Sequence, residues 1–465
     1  MYSFTACIIL LVVGYFIYGR LVDRVFGSDG ERRTPCFTKA DGVDYVPLPT
    51  WKVYLIQFLN IAGTGPIFGA IMGILFGPAA FLWIVFGCIF AGAVHDYFVG
   101  MISIRKGGAS IPEIVGDELG NGMRIGMRVF SLVLLVLVGA VFVITPAQLL
   151  EQLSPAWADT LFWIVVIFAY YILATLLPID KLIARVYPLF GIALLVMAIG
   201  IGVGLYTKSG VIPELTELGK SVHPKGYPIL PMLFITIACG AISGFHATQT
   251  PLMARCITNE RMGRRVFYGS MVTEGVVALI WAAAAIKFAG TYEGLLNMGN
   301  PGIVVKNICS SWLGTAGAIL AILGVVIAPI SSGDTAFRSA RLIAAEFLHF
   351  EQRKFVNRLM ISLPLFAVAA VAMMLDFDVL WRYFAWCNQS LATIALWAIT
   401  VWLVRNKRSY LVALVPAVFM TFICTSYILM APEGFQIDLG VSYAVGGVVS
   451  VGLGVWFALK IKGYE

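Results

Sequence analysis

Trp51-Lys-Val-Tyr-Leu-Ile-Gln57-Phe-Leu-Asn60-Ile-Ala62-Gly63-Thr64-Gly65-Pro66, followed by an apolar run to Gly77, is long and apolar enough to cross a bilayer, yet it carries a helix breaker in its middle. Pro66 removes an amide donor and disfavours helical geometry at Gly65, so this stretch predicts an interruption about half way across. Unwound backbone at that depth is tolerated only where protein or a water-filled cavity satisfies its polar groups. The break therefore implies a site or a pore. Pro66 also suits the first turn of a new half-helix, whose positive dipole end would point to the membrane centre.

The rest of the chain is of the same kind. Of 465 residues, 60% are hydrophobic and 12% charged, whereas soluble domains carry about 25% charged residues; the excess apolar surface needs lipid as its solvent. Apolar stretches near 2–18, 51–76, 80–103, 129–148, 160–177, 188–206, 228–252, 266–289, 313–335, 359–375, 380–403, 410–430 and 440–460 predict about 13 crossings of roughly 20 residues each. The first, from Tyr2 to Tyr18, has no preceding basic residue and no small-residue cleavage site, while Arg20 and Arg24 follow it. It reads as a retained helix with its N-terminus outside.

On that topology only Lys208, Lys220, Lys225, Lys287, Lys306 and Arg382, of 32 Lys and Arg residues, fall outside. The others, Arg105, Lys181, Arg255, Arg353 and Arg405 among them, mark the inner face by the positive-inside rule and place the C-terminus in the cytoplasm. This bias accounts for the net charge of +7 without a nucleic-acid partner. The eight cysteines are dispersed, with no Cys-x-x-Cys pair, and read as small buried hydrophobes bearing no disulfide and no metal.

The seventh stretch repeats the interruption: Gly240-Ala-Ile-Ser243-Gly244-Phe245-His246-Ala-Thr-Gln249-Thr-Pro251 follows an apolar lead from Pro228. The two broken spans are five helices apart and cross in opposite directions. Five is odd, so two such units in series are inverted relative to each other, the architecture of many secondary transporters. This predicts an all-α integral membrane protein: an N-terminal helix and loop (1–50), a ten-helix core (51–403, from inverted repeats 51–206 and 228–403), and two further helices (404–465). The alternative is that Gly63, Gly65, Gly240 and Gly244 serve close helix packing.

Ionisable residues inside membrane spans are costly and point to function. Asp96 (beside His95), Glu274 and Asp334 are candidates for a proton relay or cation ligands, or else they pair with Arg105, Arg265 or Arg338 and fasten the bundle. Ser331 and Ser332, three and four positions after Ala328, offer hard oxygens suited to an alkali cation, completed by carbonyls freed near Ala62 and Gly63; alternatively they bond back to their own helix. His246 is a candidate proton carrier, anion donor or satisfied core histidine. Gln57, Asn60, Thr64, Ser243 and Gln249 suit the lining of a solute site, and Asn388, Gln389 and Ser390 form a third polar cluster with no assigned role.

Asn60-Ile-Ala-Gly-Thr-Gly-Pro66, Leu82-Trp83-Ile84, Ala91-Gly-Ala-Val-His95-Asp96, Ser110-Ile-Pro-Glu-Ile-Val, Glu274-Gly-Val-Val-Ala and Asp334-Thr-Ala-Phe-Arg338 resemble the signature of the CstA carbon-starvation family. His95 stands where that family is expected to carry glutamine. The resemblance spans about 50 to 350 and implies a plasma-membrane uptake system for peptides or pyruvate, induced when carbon is scarce and driven by protons. It also implies a leucine-transporter-type fold, in which Ala328, Ser331 and Ser332 resemble half of a sodium site.

The expected function is alternating access around a midplane site. Half-helix N-termini near Pro66 and Phe245 would attract a substrate carboxylate, with Gly63, Gly65 and Gly244 letting backbone approach it. Proton or sodium is the coupling ion and no other cofactor is called for; the lipid bilayer and a small solute are the partners. A membrane nutrient sensor or an amino-acid transporter are the rivals, and an enzyme lacks any nucleophile or cofactor motif here.

Overall fold

The computed structural model describes residues 1–151, 154–176, 183–218, 222–352, 354–375 and 377–464, and among these it is all helical. Lys181, Lys220 and Arg353, used in the charge count, lie outside the described residues. The helices are α1 (Tyr2–Phe26), α2 (Thr50–Ala62), α3 (Gly65–Gly73), α4 (Ala79–Arg105), α5 (Ile111–Leu119), α6 (Asn121–Glu151), α7 (Thr160–Leu176) and α8 (Ile183–Thr207). Beyond a connecting segment come α9 (Met232–Thr236), α10 (Gly244–Ala254), α11 (Glu260–Ala289), α12 (Tyr292–Asn297), α13 (Pro301–Ala321) and α14 (Ala328–Leu348). Four more complete the chain: α15 (Phe355–Ala372), α16 (Phe377–Arg405), α17 (Leu411–Met430) and α18 (Leu439–Tyr464).

Among the described residues nine helices are long and apolar enough to cross a membrane, and the bent pair α2 and α3, running on to Phe76 and inclined by 45°, makes ten. The chain is a multi-pass membrane protein. Three predicted crossings fall outside that tally: 160–177 is a shorter apolar helix, 228–252 is split, and 313–335 straddles a π-helical turn at Ile322–Ile327 between α13 and α14. The last of these extends well past its predicted end, to Leu348, because Arg338 and Arg341 are buried in the bundle rather than at its edge.

Burial separates centre from rim. In α11 83% of the apolar window is buried, against 17% in α18, whose Val441, Val448, Val451, Val455 and Leu459 face outward as a lipid-contacting surface does. The two broken elements lie in the middle: α3 packs against α9 and α11, α2 against α8, α10 and α14, and α10 against α4 and α16. Close approach is set locally. At Gly92 in α4 an added Cβ would lie 2.2 Å from the Ala241 carbonyl oxygen, so only glycine lets α4 touch the unwound strand of the second break.

Candidate functional site

The first break has a local cause. Gly63 adopts φ 28° and ψ −140°, a conformation that side-chain-bearing residues avoid. The chain then restarts as α3, with Pro66 in its first turn and the Thr64 carbonyl accepting from the amides of Ile67 (3.2 Å) and Phe68 (2.8 Å). Asn60 and Thr64 flank the break, fully buried, and the amide atoms of Asn60 and the hydroxyl of Thr64 meet no protein partner. Buried polar groups of that kind call for a ligand or water.

The second break is held from outside. Between α9 and α10, residues 237–243 are non-helical and their polar groups need partners. The Gly240 amide donates to Glu274 Oε1 at 3.0 Å, from α11. From α16, Gln389 Nε2 donates to the carbonyls of Phe234 (3.2 Å) and Ile237 (3.3 Å), and Asn388 Oδ1 accepts from the Phe245 amide (2.6 Å) and the Ser243 hydroxyl (3.1 Å). Asn388 and Gln389, two of the three residues in the polar cluster that sequence left without a role, are thus the clamp on the second break. It also changes one expectation: the Phe245 amide at the start of α10 is already occupied.

Between the breaks runs a fully buried chain of ionisable groups. The Asp96 carboxylate takes His95 Nδ1 on one oxygen (2.8 Å) and His246 Nδ1 on the other (2.9 Å), and His246 Nε2 faces Glu274 Oε2 at 3.3 Å. With Nδ1–H given to Asp96, Nε2 meets Glu274 either as donor to a carboxylate or as acceptor from a carboxylic acid. Both arrangements place one exchangeable proton between them. Asp96 and Glu274 therefore pair with histidine and not with the arginines considered from sequence; Arg105 instead bonds Glu260 (3.2 Å) and the Gly27 carbonyl (2.6 Å). Asp334 accepts from the Tyr187 hydroxyl at 2.6 Å, apart from this chain.

A third group is made of oxygens. Ser332 Oγ donates to the Leu59 carbonyl (3.0 Å), which joins α14 to the last turn of α2, while Ser331 Oγ donates to Ala328 O (2.7 Å) on its own helix. The carbonyl brought to Ser332 is that of Leu59, three residues before Ala62. A Cβ on Gly63 would lie 3.4 Å from Ser332 Oγ, so the pair does sit at the first break. Gln249 donates to Thr248 (2.9 Å) and Ser339 (3.3 Å), its carbonyl oxygen remaining without a protein partner. Gly244 packs on the Asn388 and Ala392 backbone. Sequence reasoning missed Cys239, whose thiol lies beside His246 and Glu274, and Tyr187; neither carries a motif.

Above α3 and α9 a cavity of about 450 Å³ is lined by Ile71, Phe76, Lys225, Thr236, Trp381 and Arg382 among others. The Trp381 ring in its lining is 6.1 Å from the Phe68 ring of α3.

The sequence profile of the carbon starvation protein CstA family matches residues 1–166, 156–308 and 295–427. An uncharacterized membrane protein of Haemophilus influenzae is 44% identical over 66% of this chain and 97% of its own length. The peptide transporter CstA of Campylobacter jejuni is 29% identical over 67% of this chain and 54% of that protein. The pyruvate/proton symporter BtsT of Escherichia coli is 28% identical over 62% of this chain and 49% of that protein. This chain thus spans about half the length of the named transporters it matches. In fold it resembles a mutant manganese transporter of Eremococcus coleocola (TM-score 0.57, 12% identity, 92% of this chain and 99% of that one) and MhsT in complex with L-phenylalanine (0.57, 14%, 87% and 99%). A Na+-coupled sialic acid symporter is similar over 97% of both chains (0.54, 14%). These relatives and neighbours with named activities are transporters, not enzymes, and on the match of its sequence the chain belongs to the CstA carbon starvation family.

Proposed function

We propose that this protein takes up a small carboxylate-bearing nutrient, pyruvate or a short peptide, across the plasma membrane in exchange for the free energy of a proton gradient, and that it serves cells short of carbon. The observation that carries the reading is the Asp96–His246–Glu274 chain, because Glu274 is at once the neighbour of an exchangeable proton and the acceptor for the Gly240 amide. Protonation of Glu274 turns a charged acceptor into a neutral one and weakens its hold on the unwound turn by about half. Proton arrival and movement of α9 against α10 are thereby linked through one carboxylate. No cofactor is required, and no nucleic acid takes part.

The substrate carboxylate is placed at the first break, where the N-terminus of α3 supplies positive dipole and Asn60 and Thr64 supply free donors. Lys225 and Arg382 at the cavity above attract an anion toward it. The proposal includes about 13 crossings, inverted repeats over 51–206 and 228–403, an external N-terminus and a cytoplasmic C-terminus; the matched breaks, the Lys and Arg distribution and the likeness to ion-coupled transporters of known structure support it. A second reading, sodium coupling, is favoured by the oxygens of Leu59, Ala328, Ser331 and Ser332 gathered at the first break.

Counterflow in proteoliposomes tests the substrate: labelled pyruvate or a labelled dipeptide exchanges against its unlabelled form. If both fail while the protein is folded, the carboxylate reading falls, and the amino-acid and sensor readings take its place. Uptake driven by a pH gradient with choline in place of sodium separates the ions. Uptake that needs sodium and ignores the pH gradient would move the coupling site from Glu274 to Ser332.

A further inference from the structure

Cys239 is the feature that neither the family likeness nor the proton chain uses. It lies in the unwound segment, buried, and its sulfur, a ring nitrogen of His246 and a Glu274 oxygen all fall within 4.8 Å of one another. We propose that these three side chains form a binding site for one borderline-soft divalent transition-metal ion of the zinc class, and that the ion immobilises the second break.

The donor set is the one zinc prefers: a thiolate, an imidazole nitrogen and a carboxylate oxygen, leaving a fourth position open. Bonds of roughly 2.0 Å to nitrogen and oxygen at the tetrahedral angle set those two atoms about 3.3 Å apart. His246 Nε2 and Glu274 Oε2 are 3.3 Å apart. Orientation is also prepared: Asp96 takes Nδ1–H at 2.9 Å, which turns Nε2 toward the site, the carboxylate–histidine–metal arrangement of many metal centres. The Gly240 amide on Oε1 leaves Oε2 to point inward, where it and Nε2 face each other. Gly65 makes room for the sulfur, since a Cβ there would lie 2.4 Å from Cys239 Sγ.

Charge balances as well. Binding displaces the thiol proton and the proton shared by His246 and Glu274 to solvent, and the two charges of the ion are met by the thiolate and the Glu274 carboxylate. A site that is otherwise a proton carrier thus has a metal-bound form without net charge of its own. The metal then ties Cys239, within the break, and His246, in α10, to α11. The block on uptake, unlike the site, rests on the transport function proposed above.

Cobalt titration of the full-length protein in detergent tests the site, since cobalt substitutes for zinc and reports its ligands. The expected result is saturation at one ion per chain, with intense tetrahedral d–d bands and a near-ultraviolet sulfur-to-cobalt charge-transfer band. Cys239→Ser and the smaller Cys239→Ala should each lose the charge-transfer band while the protein stays monodisperse. Asp96→Asn should keep the band and weaken binding by about 10–100-fold. Absence of bands in the unaltered chain, or a charge-transfer band that survives both Cys239 variants, overturns the site. Zinc should block counterflow in proteoliposomes; a protein that shows the cobalt bands yet exchanges substrate equally well with zinc bound would overturn the immobilising role alone.

Discussion

Glu274→Gln should uncouple substrate movement from the proton gradient without stopping substrate movement. The glutamine has the same shape, and its carbonyl can keep the 3.0 Å contact to the Gly240 amide. Replacing a charged acceptor by a neutral one there costs about 1 kcal/mol, too little to unfold the bundle. What disappears is the group that shares a proton with His246 across 3.3 Å. One pH unit is worth about 1.4 kcal/mol per proton, so a carrier moving one proton with each anion concentrates it about tenfold per unit of gradient. In proteoliposomes one unit more acid outside, the unaltered protein should hold labelled pyruvate or dipeptide about tenfold above the medium, and the variant at about the outside level. Counterflow without a gradient should continue in both. Accumulation near tenfold in Glu274→Gln would refute the assignment of Glu274 to the proton path, and so would loss of counterflow in a variant that remains monodisperse.

Asn388→Ala orphans the Phe245 amide and the Ser243 hydroxyl, at about 1–3 kcal/mol for each donor left without a partner, so its thermal unfolding midpoint in detergent should fall clearly below that of the unaltered protein; an unchanged midpoint would mean that the clamp on the second break is dispensable. Gly92→Ala drives a methyl into the Ala241 carbonyl and should lower the midpoint by about 1–3 kcal/mol equivalent and slow uptake. Gly126→Ala, where a Cβ meets nothing within 4 Å, should be neutral or stabilising by about 0.5–1 kcal/mol. His223, in the connecting loop at the cavity lined by Lys225 and Arg382, has its imidazole pushed down to about 4 by burial and by the neighbouring Lys225 charge. Depressed in the folded state, it is neutral throughout pH 5 to 8 and loses stabilising effect only as pH falls from its unfolded value of about 6.5 toward 4. His223→Gln should therefore leave the pH profile of uptake between 5 and 8 unchanged, and a shifted profile would contradict this.

How legible each half of the site was follows from what holds it. The first break is written into consecutive residues: Gly63 supplies the unusual φ and Pro66 forbids continuation, so a reader of Gly63-Thr64-Gly65-Pro66 locates the interruption to the residue. The rim helices are legible for the same reason, since length and hydropathy are local properties. The count of crossings is less so. The stretch 313–335 is interrupted by a conformation that composition does not record, and α14 runs to Leu348 through two buried arginines that hydropathy alone would end on.

The second break shows the opposite case. No proline sits between Ile237 and Ser243, and the turn stays open because side chains from α11 and α16 replace its missing backbone partners. Asn388 and Gln389 lie 145 residues from Ser243 and 152 from Ile237, so no window of sequence contains both the break and its clamp. The same holds for the ionisable chain: Asp96 and His246 are 150 residues apart, so Asp96 alone looked like a carboxylate in search of an interfacial arginine and His246 alone like a proton carrier, an anion donor or a core histidine. A buried carboxylate must find a partner, but sequence cannot say which, and here histidine wins because α10 starts two residues before His246 and turns its imidazole toward Asp96 of α4 and Glu274 of α11. That start is itself imposed by Asn388 capping Phe245. The proton chain thus depends on the clamp, and Asn388→Ala should disturb the Asp96–His246 contact along with stability, which a changed imidazole proton resonance of His246 in the variant would report.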